Sequence, residues 1–192
     1  VTYDPYICAG CGNCASICPT GAAKYAMPAG DALHERLRQV LTTYRLSGGN
    51  SPVVLIHDTT WGEDMISAIA RAGGGLPANV LPFAVNEVTL TGVETLLVAS
   101  AYGAEHTCIL AGPSKVDELV EVRVGISLAN HILEGIGYGS GRLQLIDAVD
   151  PDVVETTLYD LDVRPGMPVA GFLAMGRKRS VMNQALQALH VA

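Results

Sequence analysis

Residues 52–64 read PVVLIHDTTWGED, and how this stretch is parsed decides the fold. Four aliphatic residues in a row, Val53 to Ile56, lack the polar alternation of a strand with one wet face and are too few for a buried helix. Closed by His57, Asp58 and two threonines, the run reads as a strand covered on both sides that turns into a helix over 62–73. The same unit recurs downstream. NVLPFAV (79–85), HTCILAG (106–112), RLQLIDA (142–148) and PVAGFLAM (168–175) read as strands, and 91–103, 114–136, 150–160 and 178–190 as helices. Within them ETLLVAS (94–100) has strand composition, but Val93, Leu96, Leu97 and Ala101 share one helical face and a helix keeps the alternation.

Strands alternating with helices imply crossover connections and a parallel sheet. The expectation for residues 52–192 is therefore an α/β domain, a five-stranded doubly wound parallel sheet of flavodoxin-like or Rossmann-like type. Upstream, DALHERLRQVLTTYRL (31–46) places Leu33, Leu37, Val40, Leu41 and Tyr44 at helical spacing, with Asp31 as its natural N-cap and SGGN as its stop. Residues 31–51 thus read as a connector helix and linker, and residues 1–30 as a separate small module.

That module carries the most specific chemistry. Cys8, Cys11, Cys14 and Cys18 stand as C-x2-C-x2-C-x3-C with Pro19 directly after, and Gly10, Gly12 and Asn13 let the loop turn where side chains would collide. Four thiolates would also suit zinc, but structural zinc sites usually split their ligands into two separated pairs. A disulfide framework belongs to small cysteine-dense secreted domains, and this chain has only one further cysteine, Cys108, in an apolar run that suits a small core residue. The spacing resembles the bacterial ferredoxin signature for a [4Fe–4S] cluster, which makes Cys8, Cys11, Cys14 and Cys18 the candidate ligands. In two-cluster ferredoxins the fourth cysteine serves the neighbouring cluster, so Cys18 belongs either to the same cluster or to a second one. VTYDPYICAGCG looks like the short strand and turn that lead into the second half of a ferredoxin repeat, which suggests a segment of a longer chain bearing a partner motif.

Composition sets bounds. A formal net charge of −7 argues against a nucleic-acid surface. No apolar run reaches the 18 or more residues needed to span a bilayer, and free thiols without an export signal point to the cytoplasm.

Ligands of open parallel sheets bind beyond the carboxyl ends of the strands. That edge would carry HDTTWGED, VNEVTLTG, AGPSK, DAVDPD and MGRKRS. The first offers hydroxyls and helix amides that could hold the phosphate of a flavin, although the Thr-Gly-Thr pattern of flavodoxins is absent. In the last, Arg177, Lys178 and Arg179 oppose the dipole of the helix they begin, so a ligand, a partner or a carboxylate of this chain should compensate. GIGYGSGR (135–142) follows a helix and precedes a strand, which makes it a helix stop rather than a phosphate loop. His57 with Asp58 is the single acid–base pair worth testing, and nothing else in the α/β portion demands enzymatic chemistry.

The order of elements in residues 52–160, notably TGVETLLVASAYGAEHTCILAG (91–112) and HILEGIGYGSGRLQLIDA (131–148), resembles the delta subunit family of methyl-viologen-reducing hydrogenase. The resemblance implies an α/β domain that passes electrons among hydrogenase, formate dehydrogenase and heterodisulfide reductase. Members with a cluster in that domain carry cysteines after the first and third strands, where this chain has HDTTWG and AGPSK, so a second cluster is not expected here. The function expected is single-electron transfer through one [4Fe–4S] cluster, in a segment or subunit of a larger redox complex. The partners would be dehydrogenase or hydrogenase subunits or further ferredoxin motifs of the parent chain. The alternative is a flavin-dependent oxidoreductase whose α/β domain binds the flavin.

Overall fold

The computed structural model describes residue 4, residues 6–26 and residues 29–191, the side chains of 114–116 excepted. The short leading strand expected before the cysteines falls largely outside these residues. In chain order the elements are α1 (Asn13–Ile17), α2 (Gly30–Leu46), β1 (Val53–Asp58), α3 (Trp61–Ala72), β2 (Val80–Val85), α4 (Val93–Ala101), β3 (His106–Leu110), α5 (Val120–Gly135), β4 (Leu143–Ile146), α6 (Pro151–Tyr159) and α7 (Lys178–Val191), with 3-10 turns at Val88–Leu90 and Pro113–Glu118.

The sheet is parallel with strand order β2-β1-β3-β4. Every residue of β1 and β3 is buried, as expected for central strands whose sequences do not alternate. β2 carries Pro82, which cannot donate to a ladder, and it lies at the edge where a missing donor is tolerated. Alternate residues of the strands feed two cores. Val54, Ile56, Phe83 and Ile109 pack under α2, α4, α5 and α7, while Val53, Leu55, Cys108 and Leu110 pack under α3 and α6. Leu33, Leu37 and Leu41 of α2 belong to the first core. α4 is buried nearly all round, which is why its sequence lacks the polar face that would have marked it as a helix.

The sheet has four strands, and the fifth expected at 168–175 is not among them. Its period-2 pattern does describe an extended chain, but the partners lie elsewhere. The Met167 amide donates to Glu105 Oε2 at 2.9 Å, the Ala170 amide to the Ala101 carbonyl at 2.9 Å, and the Ala174 amide to the Tyr102 hydroxyl at 3.1 Å. Tyr102 in turn donates to the Phe172 carbonyl. The segment is a strap over the end of α4, so β4 remains the sheet edge. A second correction concerns α2. Its N-cap is Ala29, whereas Asp31 sits in the first turn and accepts a hydrogen bond from the Gly176 amide at 3.3 Å.

The remaining boundaries follow local chemistry. Asp150 caps α6 through the Asp152 amide, with Pro151 at the first helical position. α5 stops where Gly137 takes φ +97° and the Tyr138 amide returns to the Leu133 carbonyl, as a helix stop at GIGYGSGR requires.

Candidate metal centre

The cysteine loop is shaped by its own backbone. The Cys8 amide donates to the Asp4 carbonyl at 2.9 Å, and the chain reverses through Gly10 and Gly12 at φ +71° and +86°. α1 then carries Cys14, and Cys18 forms its C-cap. Cys8 and Cys14 are exposed, Cys11 and Cys18 half-buried, and all four are free thiols. Cys18 Sγ lies 3.5 Å from the Thr20 hydroxyl, which is the main cause pulling its pKa down to about 6, helped by the amides of Ala23, Thr20 and Ala22. At neutral pH this sulfur is a thiolate, the form that binds metal. Among the described residues no three His, Cys, Asp or Glu side chains gather within reach of one metal ion. Four thiols on one short loop turned by two left-handed glycines, with one sulfur drawn toward the thiolate, are the donor set that an iron–sulfur group takes.

The module is seated on the carboxyl edge of the sheet. The Thr89 hydroxyl, in the loop after β2, donates to the Cys11 carbonyl. Gly12 presses so closely on Leu90 that a Cβ there would come within 2.9 Å of Leu90 Cβ. Asn13 Nδ2 donates to the Glu118 carbonyl, beyond β3, at 3.0 Å. Lys178, at the start of α7, donates through Nζ to the carbonyls of Ala15 (2.8 Å) and Ser16, and pairs with Glu94 Oε1 of α4 at 3.3 Å. Two of the five loops expected to bear ligands, VNEVTLTG and MGRKRS, therefore hold the chain's own cysteine module.

Residues 1–24 match the family of 4Fe-4S binding domains. The 4Fe-4S module is thus of ferredoxin type, which supports an iron–sulfur electron-transfer role. No curated protein matches the chain. No helix among the described residues is long and apolar enough to cross a membrane.

The other sequence candidates have plainer surroundings. Cys108 is fully buried in β3, far from the 4Fe-4S module in sequence, and burial pushes its thiol up to about 12. His57 is buried, with Nδ1 2.9 Å from the Asp58 carbonyl oxygen. Asp58 is spent on structure: one carboxylate oxygen accepts from the Thr60 amide (2.9 Å), the Thr60 hydroxyl (2.7 Å) and the Gly62 amide (3.1 Å). Burial works to raise its pKa, and those hydrogen bonds outweigh it to hold the carboxyl below its ordinary value. Two of the amides after β1, those of Thr60 and Gly62, are therefore held by this carboxylate. Trp61 lies against Gly112 between the ends of β1 and β3, where a Cβ on Gly112 would come within 2.9 Å of the indole.

Of the basic trio, Arg177 and Arg179 are exposed and Lys178 is compensated by Glu94. The sequence marks Asn13 only as a residue that lets the loop turn and Thr89 only as part of the strand-end loop VNEVTLTG, and it does not mark Glu94 as part of the site. The signal for Glu94 is that it is the lone charge in the apolar run VETLLVASA.

Proposed function

We propose that this chain relays single electrons through one [4Fe–4S] cluster held by Cys8, Cys11, Cys14 and Cys18, as a segment or subunit of a larger redox complex. The carrying observation is the ferredoxin-type motif of residues 1–24, with its loop turned by Gly10 and Gly12 and its last thiol held as thiolate. The cluster, when bound, supplies reversible one-electron chemistry at nearly fixed geometry. The residues present do the rest. Cys8 and Cys14 stay exposed, so an electron enters from outside without crossing the α/β core. Thr89, Asn13 and Lys178 hold the loop in register by bonding its carbonyls and side chain.

On this reading residues 52–192 form an α/β domain that docks and spaces the module, joined through residues 31–51. The likeness to the delta subunit family supports that role, with dehydrogenase or hydrogenase subunits as partners in the cytoplasm. Thiols are absent from the loops after β1 and β3, which is consistent with a single centre.

Anaerobic reconstitution with iron and sulfide tests the proposal. Four iron and four sulfide per chain, visible charge-transfer absorption and an EPR signal on reduction are expected of a cubane. Stoichiometric zinc with neither signal would remove it. The Cys18→Ala variant separates the two roles of that cysteine: loss of the centre assigns Cys18 to the same cluster, and retention assigns it to another.

A further inference from the structure

Among the described residues Lys178 is the one cation built into the seat of the 4Fe-4S module rather than left in solvent. Its side chain is 11% exposed and that of its partner Glu94 12%. The ammonium group bonds the Ala15 and Ser16 carbonyls, just before Cys18, and the aliphatic stem packs against Gly21, just after it, where a Cβ would meet Lys178 Cβ at 3.2 Å. The same side chain therefore grips both flanks of one candidate ligand.

The surroundings reinforce the charge. A cavity of about 190 Å³ beside Lys178 is lined by residues from the first turns of α2, α4 and α7, among them Gly30, Glu94 and Val181. Three helix N-termini facing one small space add their positive partial charges to the ammonium. Among the described residues the ionisable side chains lining the cavity are Lys24, Tyr25, Asp31, His34, Glu94 and Lys178. Glu94 is the counterweight, since Oε1 pairs with Lys178 while Oε2 is buried without a hydrogen-bond partner.

We infer that the Lys178–Glu94 pair sets the reduction potential of the N-terminal centre, with Lys178 raising it and Glu94 lowering it. Adding one electron to a four-thiolate centre adds one negative charge while no bond forms or breaks. A fixed cation in a low-dielectric seat stabilises that charge, and a fixed carboxylate opposes it. Lys178 is thus a positioning residue by its carbonyl bonds and a tuning residue by its charge. The inference rests on the cluster reading proposed above, and the two fail separately: a wild-type chain that takes up no iron and sulfide sinks that reading, whereas the potentials below test only this one.

The experiment is a dye-mediated reductive titration followed by EPR on the reconstituted full chain and three variants, at pH 8.5 and low ionic strength. Lys178→Met is expected to lower the midpoint potential, Lys178→Arg to keep it close to the parent value, and Glu94→Gln to raise it. A purely structural role for Lys178, acting through its bonds to the Ala15 and Ser16 carbonyls, would leave the Glu94→Gln potential unmoved. Glu94→Gln leaves the Lys178 bonds to Ala15 and Ser16 in place, so it decides the matter even if Lys178→Met fails to load. An unchanged or lower potential in Glu94→Gln, or a Lys178→Met potential at or above the parent's, overturns the inference.

Discussion

Glu105 Oε2 accepts the Met167 amide at 2.9 Å while lying 3.5 Å from Arg142 Nη1, so one buried carboxylate anchors the C-terminal strap and neutralises a buried guanidinium. Arg142 also donates to the carbonyls of Glu105, Tyr138 and Arg164, and Arg45 reaches Glu105 Oε1 at 3.4 Å. Removing one member of a buried pair strands the other charge, which typically costs 3–5 kcal/mol. Glu105→Ala should therefore lower unfolding free energy by about 3 kcal/mol or more in urea melts, with proteolysis first appearing at 160–176. A loss below about 1 kcal/mol would mean the strap holds without it.

Gly12 and Gly10 share a left-handed backbone but differ in what surrounds them. A Cβ on Gly12 meets Leu90 Cβ at 2.9 Å, whereas one on Gly10 meets nothing within 4 Å. Gly12→Ala should abolish or sharply reduce iron uptake on reconstitution, and Gly10→Ala should reduce it only modestly, through backbone strain of about 1 kcal/mol. Iron and sulfide analysis of both variants, against the visible absorption band, provides the comparison. Equal effects would show that strain alone matters.

Cys108 should behave as a hydrophobe. With its thiol buried and pushed up to about 12, it should resist iodoacetamide at pH 8 in the metal-free native chain while the four N-terminal cysteines react. Mass spectrometry of the digest distinguishes them. Cys108→Ala should leave iron stoichiometry unchanged. Cys108→Ser should be less stable than Cys108→Ala by about 1–2 kcal/mol, because its hydroxyl lacks a partner in the core.

His106 gives the fold an acid limit. Burial, joined by the positive charge of Arg142, lowers its pKa from 6.5 to about 4. The unfolded chain binds the proton first, so this contribution is complete above pH 6.5 and drains as pH falls toward 4. In that window stability should fall by up to roughly 1.4 kcal/mol per pH unit. His106→Gln should flatten the slope in part, since His34 is also depressed by burial. Urea titrations at pH 7 and 5 measure it, and an unchanged slope in the variant would exclude His106.

Asp58 acts over a lower range. Its folded pKa lies below its ordinary 3.8, so its contribution is present above about pH 4 and is lost as pH falls through the folded value. Asp58→Ala should cost about 1 kcal/mol at pH 7, the usual worth of such a cap, with the difference from wild type narrowing in acid. The midpoint of thermal unfolding at pH 7 and pH 2.5 makes the comparison.

The cysteine spacing, the βα alternation and nearly every helix were legible in the chain, because each depends on residues within a few positions of one another. Val53–Ile56 and His106–Leu110 read as doubly covered strands since nothing polar interrupts them. Residues 168–175 carry the period of a strand without being one, because an extended segment has the same period whether its partner is a strand or the end of a helix. Tyr102 and Glu105 made that choice, from more than 60 residues away. The seat of the module was equally hidden: Lys178 and Ala15 are 163 positions apart, and Thr89 and Cys11 are 78. Sequence by itself determined the ligands on offer and the elements that carry them, since both are short-range properties. Only the folded topology decided which lone lysine, threonine and carboxylate would meet those ligands, because such pairs form where strand order and helix packing bring distant chain together and leave no local pattern behind.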